Sequence, residues 1–160
     1  MNKPVILAAL LGLGTLGLAA CGETQEQPAA EAPEGIAGMT ISNARLVLPA
    51  VAGNPAAVYF DLAYDGERAV ALNRVHVEGA ESAEFHEYAE WNGQMQMQPM
   101  LPLPLKKGDR HSFEPGGKHV MAMKLAPEVA EGGSAEVTIT VSGGDKHSFP
   151  AEVRAAGSER

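Results

Sequence analysis

The chain has 160 residues, seven methionines, five histidines, a single cysteine and a formal net charge of −8. A chain this acidic repels phosphate backbones and anionic lipid surfaces, which argues against nucleic acid as a partner. One cysteine cannot close an intrachain disulfide, so the fold must rest on its hydrophobic core.

Residues 1–20, MNKPVILAALLGLGTLGLAA, carry one early positive charge at Lys3 and then an apolar run broken only by glycine and Thr15. That pattern is a secretory signal, not a fold element. The run ends in LAAC, where small residues precede Cys21. This resembles the lipobox of bacterial lipoproteins, which implies cleavage before Cys21 and its lipidation. The expected location is therefore the bacterial cell envelope, facing the periplasm. Gly22 follows the cysteine where an inner-membrane retention signal would have aspartate, so either membrane stays open. Residues 21–35 are the lipidated cysteine and a flexible tether, since GETQEQPAAEAPEG has no large apolar side chain with which to offset its ordering entropy. Residues 36–153 suffice for one domain around one core, and residues 154–160 are expected to be a disordered tail.

Within the domain, apolar residues recur with period two. AAVYFDLAY puts Val58, Phe60, Leu62 and Tyr64 on one face, and AEVTITVSGG sets Val137, Ile139 and Val141 against Glu136, Thr138 and Thr140. Strands are expected at about 39–48, 57–64, 68–77, 83–89, 94–98, 111–114, 118–124, 135–142 and 146–153, separated by turn signals that include DGE (65–67), LPLPLKKGD (101–109) and several Gly-Gly pairs. The fold class is all-β, an immunoglobulin-like antiparallel β-sandwich. A single helical turn is expected near APEVAEGG, 126–133, with Pro127 in its first turn.

Five of the six methionines left after Met1 fall in one window: Met95, Met97, Met100, Met121 and Met123. On strands, His119, Met121 and Met123 share one face and Val120 and Ala122 the other, while Met95 and Met97 oppose Gln94, Gln96 and Gln98. Methionine fills core gaps well, so each of these faces could be the buried one. His86 stands next to Phe85, which takes the core side and turns the histidine outward. Positions i and i+2 on a strand are about 6.6 Å apart, close enough for His119 and Met121 to converge on one ion. Thioether and imidazole together suit copper(I), and methionine seldom binds zinc. His76, His111 and His147 have no companion methionine and read as ordinary surface or hydrogen-bonded histidines. Glu87 and Glu90 would bias the region toward cations or simply form a solvated face.

The spacing His86-x10-Met97-x21-His119-x-Met121, with NGQMQMQPM, LPLP and PGGKHVM around it, resembles that of the PCu(A)C-type periplasmic copper chaperones. The resemblance implies a cupredoxin-like sandwich holding Cu(I) through His86, Met97, His119 and Met121. Met95 and Met123 would pack behind the site or assist transfer. The expected partner is a copper-accepting protein, such as the CuA subunit of cytochrome c oxidase or a Sco-like protein. Two other readings stand beside it: a copper-buffering lipoprotein with no dedicated recipient, and a metal-free module whose methionine faces are core. A blue-copper site needs a thiolate that the domain lacks. No catalytic triad, phosphate loop or open zinc signature suggests an enzyme.

Overall fold

The computed structural model of the protein describes residues 35–158. The expected signal and lipidation site, and all but the last residue of the expected tether, lie outside the described residues. Ten strands follow in order: β1 Met39–Val47, β2 Ala56–Tyr64, β3 Val70–Val77, β4 Ala80–Trp91, β5 Gln94–Pro99, β6 Leu103–Leu105, β7 Asp109–Phe113, β8 His119–Leu125, β9 Ser134–Val141 and β10 Lys146–Arg154. The all-β sandwich expected from the period-two runs is the observed architecture. Hydrogen bonding connects the strands in the order β5-β4-β8-β2-β1-β10-β9-β3-β6, with β7 also paired to β2.

The alternation in each strand decides which side chains meet. β2 sends Val58, Phe60, Leu62 and Tyr64 inward, β9 sends Val137, Ile139 and Val141, and β10 sends Phe149, Ala151 and Val153, all buried. Phe60 stacks on Phe113 of β7 at 4.3 Å and meets Phe149 of β10 at 5.2 Å, while Phe85 of β4 reaches Phe113 at 5.7 Å. These four rings tie together the strands that flank the histidines. Each such pair adds about 0.5–1.5 kcal/mol beyond the apolar area it buries.

Four details differ from the sequence reading. One pair is not antiparallel: β1 runs parallel to β10, because the first and last strands of the domain lie side by side in the same direction. Part of LPLPLKKGD is a strand, since Leu103 and Leu105 alternate around Pro104 and pair with β3 as β6. Proline is tolerated there because β6 is a sheet edge. Residues 126–133 contain two turns and no helical turn. Val129 N–H donates to Ala126 O at 3.1 Å around Pro127, and Gly133 N–H donates to Ala130 O at 3.1 Å with Gly132 at φ 81°. Finally, Arg154 belongs to β10, and its carbonyl accepts the Leu48 N–H at 2.9 Å.

The β4–β5 hairpin extends beyond the expected strand bounds on the β4 side. It turns at Asn92 and Gly93, with φ of 52° and 76°, the two positive values that a tight two-residue hairpin turn requires.

Two histidines lie at core-side positions away from β4. His111 pairs with Leu62 and His147 with Ile139, and His147 Nδ1 accepts the Ile36 N–H at 3.2 Å. Desolvation lowers the pKa of both below 6.5, with the Lys118 charge adding to the effect at His111. The folded state thus favours neutral rings, and below about pH 6.5 the unfolded chain binds more protons. Stability should be full above that pH and fall as pH drops toward the folded values. Thermal melts between pH 7.5 and pH 5 check this, and the drop should shrink when both histidines are replaced by Gln.

Candidate metal centre

The centre of the candidate site is set by one register. β4 and β8 are antiparallel with Phe85 opposite Val120 and His86 opposite His119. Phe85 and Val120 point into the core, so the two histidines point to the other face of the sheet. Of the two faces that the sequence left open, the one with His119, Met121 and Met123 is the outer one, with Val120 and Ala122 fully buried behind it. The histidines are nonetheless well covered, His86 being 9% and His119 6% exposed. Tyr88 lies 6.0 Å and Tyr59 6.4 Å from the His119 ring, and the Arg45 guanidinium sits 5.0 Å over Tyr59. These rings partly exclude water from an outer face.

The two imidazoles differ in their partners. His119 Nδ1 is 3.0 Å from the Gly117 carbonyl. Facing a carbonyl, that nitrogen must donate, so it carries the proton and Nε2 keeps its lone pair. The turn that aims Gly117 is built by Pro115 and Gly116: Gly117 N–H donates to Glu114 O at 3.0 Å, and Gly116 takes φ 80°. His86, in contrast, has both ring nitrogens buried without a hydrogen bond. Glu84 Oε2 stands 3.5 Å from His86 Nε2 but does not complete hydrogen-bond geometry in this conformation. A buried polar group left unsatisfied costs about 1–3 kcal/mol, which a ligand would recover.

The ring centroids of His86 and His119 are 6.0 Å apart. Taking about 2.0 Å for a metal–imidazole nitrogen bond, two rings that share one ion hold their centroids on the order of 6 Å apart. The spacing therefore fits a single ion.

The methionines share this face. Met121 is opposite Glu84 on β4 and Ala57 on β2, and Met123 is opposite Ser82. On the far side of β4, Met97 is opposite Tyr88 and Met95 opposite Glu90. In register, Met97 and Met121 are two strands and four residues apart, on either side of His86. On this register they flank the imidazole pair from opposite corners. Met121 and Met123 are half-buried, whereas Met95 is 63% and Met97 44% exposed. Among the described residues, no group of three or more His, Cys, Asp or Glu is placed to hold a metal ion. A fuller shell around the histidine pair therefore needs thioethers. The surface cavity of 870 Å³ lined by Ile36, Tyr64, Arg68 and Lys146 contains none of these side chains.

The sequence reading passed over Glu84, Tyr59, Tyr88 and Gly117. Glu84 and Tyr88 each stand two residues from His86, so the same period-two rule that oriented the histidine also placed them beside it. Tyr59 comes from β2 and has no sequence signal of its own.

Residues 39–153 match the family described as "Putative lipoprotein LpqE-like". The chain belongs to the LpqE-like family. Solved structures that share this fold include PCuAC domains, as the sequence resemblance implied. "Copper-bound PCuAC domain from PmoF2" has a TM-score of 0.60 at 21% identity, covering 76% of this chain and 96% of that one. The apo PmoF2 PCuAC domain gives 0.62 at 21% identity, covering 79% and 97%. The copper(I) form of DR1885 from Deinococcus radiodurans gives 0.57 at 20% identity, covering 79% and 85%. No curated protein matches the chain.

Exposure separates the methionines of this LpqE-like protein by reactivity. Under limiting hydrogen peroxide, Met95 and Met97 should become sulfoxides well before Met39, which is 7% exposed in the core. Peptide mapping by mass spectrometry follows the order.

Proposed function

We propose that the protein is a copper(I) chaperone of the bacterial cell envelope, carrying one ion between His86, Met97, His119 and Met121 and releasing it by ligand exchange. The observation that supports this most directly is the His86–His119 pair, with its centroids 6.0 Å apart and both His86 nitrogens unpartnered, on the sheet face that carries the methionines. Structures sharing the fold at about one-fifth identity have been solved with copper bound, one of them in the copper(I) form. The chemistry is consistent: thioether sulfur is soft and uncharged, imidazole is borderline, and the set suits copper(I) better than hard divalent cations.

The copper is cargo, so the site must release it as well as bind it. His119 is fixed by its carbonyl and the histidines are deeply set, while Met97 lies on an edge strand and is largely exposed. Met97 is the ligand an acceptor displaces first, with Met95 and Met123 on the same face available during exchange. Anchoring at Cys21 on the periplasmic side would confine the carrier to a membrane surface. The recipient we propose is the CuA subunit of cytochrome c oxidase or a Sco-like protein.

Competition titration with a copper(I) chelator tests the site. One equivalent should bind, and combined His86→Ala and Met121→Ala substitution should weaken binding by at least about 100-fold, about 2.7 kcal/mol. Unchanged affinity would assign the methionine face to packing. For the recipient, the loaded protein is mixed with an isolated CuA domain and, separately, with a Sco-like protein. Transfer to either supports delivery, and binding without transfer to both supports buffering instead.

A further inference from the structure

We infer that Glu84 positions His86 by accepting a hydrogen bond from its Nε2, so that the two histidines bind copper through different nitrogens, His86 through Nδ1 and His119 through Nε2. This rests on the copper-site reading above.

Three observations lead to it. First, among the described residues Glu84 is the one carboxylate within ion-pair reach of either site histidine, its Oε2 being 3.5 Å from His86 Nε2. Glu84 shares the outer face two positions before His86 and is opposite Met121, so the strand pleat itself holds it beside the site. Second, both nitrogens of His86 are buried and lack partners, so nothing else on the protein selects its tautomer. The Glu84 side chain is 61% exposed, which leaves its carboxylate room to turn toward Nε2. Third, His119 already shows the arrangement in mirror form, with Nδ1 donating to the Gly117 carbonyl and Nε2 left with its lone pair. A metal-binding imidazole is usually oriented by an acceptor on its other nitrogen, and Glu84 is the acceptor His86 otherwise lacks.

The carboxylate is not a third ligand of the histidine pair, since His86, His119 and Glu84 do not form a group placed to hold a metal. Its position has an electrostatic consequence as well. Two neutral imidazoles and two thioethers leave the charge of a copper(I) ion uncompensated in a partly buried site. One carboxylate a residue-pair away along β4 neutralises it without hardening the ligand set.

Copper(I) is diamagnetic, so nitrogen NMR of the histidine rings in the full, ¹⁵N-labelled chain reads each nitrogen directly. Copper(I) should shift Nδ1 of His86 and Nε2 of His119, with the His86 proton retained on Nε2. Glu84→Leu should release the His86 tautomer and weaken copper(I) binding about 10-fold or more, and Glu84→Gln, which keeps an acceptor oxygen but not the charge, should keep the Nε2–H tautomer and lose less affinity than the Leu variant. Melting curves should be unchanged in both variants, because Glu84 is outside the core. A copper shift on His86 Nε2, or a Leu variant equal to the parent in tautomer and affinity, overturns the inference. If the parent chain takes up no copper(I), the copper reading fails. The metal-free spectra then still decide the role of Glu84: an Nε2–H tautomer lost in the Leu variant supports it, and no change refutes it.

Discussion

The pairing of β4 with β8 is the constraint from which the rest of the site follows. Phe85 and Val120 face each other inside the sandwich, and this forces His86 and His119 to face each other outside it. A slip of one residue would exchange the two sets, placing imidazoles in the core and an aromatic ring in water. The contact of Phe85 with Phe113, and of Phe113 with Phe60, makes such a slip costly, so the hydrophobic core fixes the distance between two polar rings on the opposite surface.

Around that pair the sheet combines rigid and exchangeable elements. His119 is locked by a glycine turn, and tyrosines from β2 and β4 cover it. Met121 and Met123 are half-buried on β8, inside the sheet, while Met95 and Met97 are exposed on the edge strand β5. The result is a graded site, deepest at the imidazoles and most open at the β5 thioethers. A carrier needs both properties, since an ion held equally firmly on every side could be bound but not passed on.

Much of the fold was legible because nearly every strand is amphipathic with period two, and turn residues mark most of their ends. The exceptions have identifiable causes. Prolines at 102 and 104 outweighed the Leu103 and Leu105 alternation, although an edge strand tolerates proline. APEVAEGG contains helix-compatible residues, but Pro127 and Gly132 instead occupy turn positions. The parallel β1–β10 pair depends on where the two ends of the domain meet, which local patterns do not encode.

For the candidate site, the sequence by itself determined the set of soft and borderline donors and which of them share a strand face. Residue types favour a soft metal for the proposed site, and the strand pleat sends His119, Met121 and Met123 to one side and Val120 and Ala122 to the other, because alternation is a local property of the backbone. Only the tertiary structure decided that His86 stands directly opposite His119, that β4 separates the two methionine pairs, and that Tyr59 and Glu84 complete the surroundings. Those relations depend on register between strands distant in the chain, and register is chosen by the packing of the whole core, not by any one segment.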